Sequence, residues 1–354
     1  YEVMSLCLSC KACKSECPSN VDMAKLKAEF LQHYYDANGV PFRARLIANF
    51  TKAAQLASMA PRIYNTIISN PLTASVVKLF SGFALQRSMP KIATQTLQVW
   101  YKKNYKAPST PIKKLYLFCD EFTNYNDAPI GIKAIELLHT LGYEVIIPFH
   151  LESGRTWLSK GLVRKAKKIA NQNIELLSSL ISASTPLIGL EPSAILTFRD
   201  EYPDLATDEN VAAAQHLAKH SFFIDEFLAS EMQAGNITKD QFTDQAKSIL
   251  LHGHCQQKAV SSLSDTVKVL SFPTNFKVDT IASGCCGMAG SFGYEKEHYK
   301  VSMNIGELVL FPKIRAHHHN CTIAAAGTSC RHQIKDGTGV QALHTVEILH
   351  TALR

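Results

Sequence analysis

Four cysteines set at C-x2-C-x2-C-x3-C-P, in the stretch CLSCKACKSECP from Cys7 to Pro18, limit what this chain can fold into more than any other feature. Thiolates at i, i+3 and i+6 meet at one point when a tight, irregular loop turns each side chain inward, the arrangement that holds a small iron–sulfur cube. Pro18 then stops the loop and redirects the chain. Zinc sites more often use two separated C-x2-C knuckles, so a four-iron cluster is the expectation for Cys7, Cys10, Cys13 and Cys17. Two arrangements stay open. All four thiols close one cluster, or Cys17 reaches a second cluster, as the fourth Cys of this run does in two-cluster ferredoxins. No second run of this spacing exists in the 354 residues. The motif's place beside Tyr1 favours the second arrangement, with the remaining ligands upstream, and a first residue other than Met is read as either an artificial boundary or an internal cut.

The chain is longer than one compact core usually serves, so two or three domains are expected. No apolar run approaches the ~18 residues of a transmembrane helix. The formal charge of +7 is partly local, with Lys102, Lys103, Lys106, Lys113 and Lys114 close to Pro108 and Pro111, which reads as a linker. Neither a recognised motif nor aromatic interleaving accompanies that charge, so no nucleic-acid partner is expected. Ten cysteines without a secretory signal point to metal rather than a disulfide framework, and to the reducing cytoplasm.

Helix-period patterns run from VDMAKLKAEFLQHYYDANG, capped by Ser19 or Asn20 and ended by Gly39, to about residue 105, with Pro61, Pro71 and Pro90 as punctuation. From Lys114 short β-rich runs alternate with amphipathic helices, predicting α/β layers with largely parallel strands. Three of these runs, KLYLFC, EVIIPF and PLIGL, are matched by a later three, SILLHGHC, VDTIA and TIAAAG. The domains expected are therefore 1–105, helical, then two similar α/β halves, 106–245 and 246–354. Laid over each other, the halves match Cys119 to Cys255, Glu152 and Ser153 to Cys285 and Cys286, and Ala194 to Cys330.

Cys255, Cys285, Cys286 and Cys330 each lie near the C-terminal end of an expected strand, where parallel sheets gather ligands. Adjacent cysteines on a regular strand face opposite ways, so joining Cys285 and Cys286 at one metal needs a sharp bend, which Gly284, Gly287 and Gly290 permit. These four are read as metal ligands. Cys119 and Cys321 are read as small core residues, and His252 and His254 as hydrogen-bonded neighbours of the site rather than ligands. Arg331 and His332 are placed to tune a cluster by charge. His317, His318 and His319 are read as a solvated helix end, and Asp120 and Glu121 as a surface loop rather than an acid–base pair.

CLSCKACKSECP, joined to HGHC, SGCCGMAGSFG and AAGTSCRHQ, resembles the C-terminal iron–sulfur portion of FAD-linked 2-hydroxyacid dehydrogenases of the glycolate oxidase iron–sulfur subunit type. That group is similar in turn to the anaerobic glycerol-3-phosphate dehydrogenase small subunit and the CCG-containing subunit of heterodisulfide reductase. The resemblance implies an α/β protein with a helical ferredoxin-like N-terminal domain and a duplicated cysteine-rich (CCG) domain. It implies an iron–sulfur centre, or zinc, at Cys255, Cys285, Cys286 and Cys330. It also implies FAD in an upstream domain or partner, and electrons passed from a 2-hydroxyacid to a quinone or another carrier. Glu152, Ser153 and Ala194 stand where the first half would need cysteines, so no cluster is expected there. The helical stretch from Pro41 to Met89 mixes apolar and basic residues and either packs as core or approaches the inner face of a membrane. The rival expectation is a zinc-stapled interaction module without redox function.

Overall fold

The computed structural model describes residues 1–354. Its first third is helical: α1 (Ala12–Glu16), α2 (Met23–Asn38), α3 (Phe42–Ala48), α4 (Phe50–Met59), α5 (Pro61–Ser69), α6 (Pro71–Ser81) and α7 (Leu97–Asn104). Asp22, not Ser19 or Asn20, caps α2 by accepting from the backbone N–H groups of Ala24 and Lys25. Asn20 instead turns the chain out of the cysteine loop in a left-handed conformation, φ 56°. Gly39 ends α2 at φ 80°, as expected. Pro61 and Pro71 open α5 and α6 at the first helical position, where a missing N–H leaves no hydrogen bond unmade.

The expected parallel α/β layers follow. Strands β1 (Lys113–Phe118), β2 (Tyr143–Ile146), β3 (Leu187–Gly189) and β4 (Ser221–Phe223) form one all-parallel sheet in the order β2-β1-β3-β4. Strands β5 (Lys247–His252), β6 (Phe276–Thr280) and β7 (Thr322–Ala325) form a second, in the order β6-β5-β7. In both sheets the first strand is central, the second lies on one side and the third on the other. β4 has no counterpart; wedged between two helices, it showed no separate strand run. Strands of both sheets share one apolar core, while a smaller cluster around Met288, Phe311 and Ile334 fills the far side of the second sheet.

The strand registers correct one pairing between the halves. Lys113 pairs with Tyr143 and Lys247 with Phe276, so β1 superposes on β5 from their first residues. Cys119 then falls on Gly253, and Glu121 on Cys255. The caps agree: Asp120 and His254 each accept the N–H two residues ahead, at the starts of α8 (Glu121–Tyr125) and α10 (Cys255–Val260). The matches of Glu152 and Ser153 to Cys285 and Cys286, and of Ala194 to Cys330, agree with the register. No helix is long and apolar enough to cross a membrane.

Candidate metal centre

Cys255 is the first residue of α10, just past β5; Cys285 and Cys286 sit in the loop after β6; Cys330 lies in the first turn of α11 (Thr328–Thr338), just past β7. Three parallel strands thus deliver four sulfurs to one edge of one sheet. The thiols shift one another's ionisation in a row, Cys255 with Cys285, Cys285 with Cys286 and Cys286 with Cys330. The bend that turns both adjacent cysteines inward is built on Gly287, whose φ is +95° and where a Cβ would lie 2.3 Å from the Ser302 carbonyl oxygen. The Gly287 N–H approaches the Cys285 sulfur at 3.4 Å, and Lys258 Nζ pins the loop through the carbonyls of Ser283 at 2.7 Å and Gly284 at 2.9 Å.

Hydrogen bonds from Cys255 and Cys286 hold the Cys285 thiol well below its usual range, and one from Cys286 does the same for Cys330. The donors Cys255 and Cys286 are raised, first by those bonds and then by burial. Four neighbouring thiols, Cys286 and Cys330 buried and Cys255 and Cys285 half-buried, cannot all ionise without a cation among them. His252 adds a fifth donor. Its Nδ1 lies 2.9 Å from Ser283 Oγ while its buried Nε2 has no partner, and one of its ring nitrogens lies within 4.8 Å of the sulfurs of Cys286 and Cys330. A soft donor set beside an orphaned imidazole nitrogen fits a thiophilic metal or an iron–sulfur centre. His254, in contrast, is committed as the cap of α10.

The N-terminal run is a separate constellation that opens on the same space. Ser9 and Lys11 take left-handed conformations, φ 51° and 61°, which wind Cys7, Cys10 and Cys13 into a tight loop. Burial pushes the Cys10 thiol up, against a hydrogen bond from the Ala12 backbone, and charge on Cys285, Cys7 and Cys13 adds to the rise. Cys17 stands apart: backbone N–H groups of Val21, Ser19 and Asn20 hold its thiol below the usual range, and no other cysteine contributes. Cys7, Cys255, Cys285, Cys286 and Cys330 line one cavity of about 510 Å³, and Gln256 Nε2 ties the two loops together at 2.9 Å from the Ser9 carbonyl oxygen.

In the first half the corresponding place is closed by hydrogen bonds. Glu121 is buried, not on a surface loop, and accepts from the Ser153 N–H at 2.9 Å and hydroxyl at 2.6 Å. Asp120 is buried too and caps α8; burial raises both carboxyls. Glu152 accepts from Trp157 Nε1 at 2.9 Å. Cys119 is a core residue as expected, whereas Cys321 is half-buried with its thiol 3.1 Å from the His317 carbonyl oxygen.

Sequence reasoning missed two residues and one role. Lys11, inside the cysteine run, is fully buried and paired with Asp22 at 2.9 Å, Asp200 and Glu201 at 2.9 Å, so it plugs the loop into the first half. Glu191, immediately before helix α9 (Pro192–Ile195), caps α9 and also accepts at 2.8 Å from the Thr328 N–H, the start of the helix bearing Cys330. The role is that of His252, read as a hydrogen-bonded neighbour of the site, whose unpartnered Nε2 also makes it a candidate ligand. Arg331, expected to tune the cluster, is bound to Asp127 and the Ala325 carbonyl oxygen, and His332 Nδ1 lies 3.2 Å from the Tyr294 hydroxyl.

No protein-family model matches the chain. It is 29% identical over 363 residues to a D-2-hydroxyglutarate dehydrogenase of Escherichia coli K12, covering 98% of this chain and 34% of that protein. It is 27% identical to the protein of the same name from Haemophilus influenzae, covering 99% and 35%. Over 270 residues it is 24% identical to one of the subunits of the anaerobic glycerol-3-phosphate dehydrogenase of E. coli K12, covering 76% of this chain and 66% of that relative. The chain thus spans about a third of the length of the first two relatives. It is similar to oxidoreductases, two of them long dehydrogenases and one a component of a dehydrogenase.

Proposed function

We propose that this chain is the iron–sulfur electron-transfer part of a flavin-dependent dehydrogenase that oxidises a 2-hydroxyacid. One observation carries the reading: two cysteine constellations, at opposite ends of the chain, open on a single cavity, with Cys10 near enough to feel the charge of Cys285. A purely structural staple has no use for two metal sites facing each other. Cys7, Cys10 and Cys13 would hold a four-iron cluster, Cys17 would reach toward another, and Cys255, Cys285, Cys286 and Cys330 would hold the second-half centre. Bound iron–sulfur groups supply one-electron steps at potentials the protein tunes by charge, burial and hydrogen bonds to sulfur. The chain's own part is to fix the thiolates, exclude bulk water and donate backbone N–H groups to sulfur. FAD would sit in an upstream domain or partner protein, and a quinone or another carrier would take the electrons. Residues 1–105 would form the ferredoxin-like domain, and 106–245 and 246–354 the duplicated cysteine-rich one. All ten cysteines are free, which suits a reducing cytoplasm.

Anaerobic purification from iron-replete cells tests this. Matching iron and sulfide, with absorption near ~400 nm that bleaches on reduction, is the expected result. Stoichiometric zinc without iron overturns it in favour of a zinc-stapled module.

A further inference from the structure

One lysine stands inside the cysteine run, and both its backbone and its side chain are unusual. Lys11, between Cys10 and Cys13, takes a left-handed conformation that favours Gly or Asn, φ 61°, and it precedes α1 without its side chain capping that helix. The side chain runs into the interior instead, and none of it is exposed. A lysine is almost never buried whole unless it is paired, and Lys11 has three carboxylate partners. Asp22, at 2.9 Å, belongs to the N-terminal helices, while Asp200, and Glu201 at 2.9 Å, belong to the first α/β half. A non-glycine residue keeps such a backbone only where its surroundings over-determine it, and these carboxylates do so.

The network around Lys11 is electrically closed. Asp200 also holds Lys14 at 2.6 Å and Lys25 at 2.9 Å, Lys25 reaches Asp204 at 2.6 Å, and Glu201 holds Arg155 at 2.5 Å. Four cations thus meet four carboxylates, and no charge is left over. Arg155 carries the network further: its backbone N–H donates to Ser153 Oγ at 3.1 Å, and Ser153 is the residue that closes the first half's own site onto Glu121. Lys11 adjoins Cys10 in the chain, so its charge and those of Asp200 and Glu201 act on whatever Cys10 binds from on the order of 10 Å, through buried surroundings that salt screens little. We propose that Lys11 is a positioning residue for the N-terminal cluster: it fastens the cysteine loop to Asp200 and Glu201 and balances their charge, so that the first half, whose own site is closed, sets that cluster's reduction potential. The proposal rests on the reading of Cys7, Cys10 and Cys13 as cluster ligands.

Potentiometric titration followed by electron paramagnetic resonance tests it, on the iron-loaded protein at its natural length, with the N-terminal cluster's signal identified as the one that Cys10→Ser removes. Lys11→Met leaves Asp200 and Glu201 under-balanced, which opposes an added electron, so the cluster should become about tenfold harder to reduce, a fall of ~59 mV for a one-electron couple. Asp200→Asn removes a carboxylate and should raise the potential by about as much. Lys11→Arg keeps the charge and should stay near wild type. Opposite signs are the mark of charge, because a loop that had only come loose would admit water in both variants and move both potentials the same way. Shifts of one sign, no shift in iron-loaded variants, or a Lys11→Arg potential as low as that of Lys11→Met overturn the proposal. If Lys11→Met holds no iron, Asp200→Asn decides alone: a rise supports the proposal, and a fall or no change overturns it. Wild-type protein without iron at the N-terminal run overturns it together with the function it rests on, and metal content tells that outcome from the others.

Discussion

The two α/β halves gather the same strand ends and use them for opposite purposes. In the second, Cys255, Cys285, Cys286 and Cys330 converge with an unpartnered His252 nitrogen beside them. In the first, the same positions hold Glu121, Glu152, Ser153 and Ala194, and the polar atoms satisfy one another. Backbone geometry therefore fixes where a site can form, and four side chains decide whether it offers a metal a set of donors. The closed half still works for the open one, because Glu191 caps the helix that carries Cys330.

The largest effect should come from removing one sulfur of the open half. Cys286→Ser should release all the metal of the second-half site while the N-terminal run keeps its own, read as metal and sulfide per chain. Equal loss from both sites would show that they fold as one unit and break the contrast between the halves.

The joint between the halves should respond to pH. Asp225, just past β4, is fully buried and accepts from the hydroxyls of Thr266, at 2.7 Å, and Thr345, at 2.8 Å. Burial raises its carboxyl to about 7, with the two hydroxyl bonds opposing the rise. A carboxyl raised on folding keeps its proton longer in the folded state, so stability falls as pH climbs from the unfolded value near ~4 to about 7 and is flat above. At ~1.4 kcal/mol per pH unit the loss is of order 3–4 kcal/mol. Asp225→Asn should flatten that slope in denaturant melts at pH 5 and pH 8; a slope equal to wild type would place the titration elsewhere.

His252→Ala should lower metal affinity at the second site by about 10–100-fold, the range typical of a residue that supports a metal centre. His252→Gln keeps a bond to Ser283 but lacks the imidazole nitrogen, and should fall equally if the ring nitrogen binds metal. Recovery in the Gln variant would reduce His252 to a positioning residue, as the sequence first suggested.

Much of this was legible in order along the chain, and much was not. The six strands that sit in longer β-rich runs, such as β3 within PLIGL, announced themselves, and so did the cysteine runs. β4, Ser221–Phe223, lies wedged between two helices and so showed no separate strand run. Cys119 was matched to Cys255 because identical residues attract alignment, whereas hydrogen-bond register places Glu121 there. Asp120 and Glu121 read as surface because charge usually is; a cap and a Ser153 pair bury them. Lys11 could not be read at all, since its partners Asp200 and Glu201 lie far along the chain and salt bridges leave no periodic trace.

The smallest effect should come from Glu121→Gln in the closed half. An amide at this position keeps one carbonyl oxygen that can still accept from Ser153. One hydrogen bond of the pair is lost, a cost of about 1 kcal/mol, visible as a shift in unfolding midpoint. Metal content should not change, because Glu121 touches the Ser153 network and not the four sulfurs. A fall in bound metal would show that Glu121 still acts as a ligand, the role proposed for the cysteine at its superposed position, and the two halves would then differ in affinity rather than in kind.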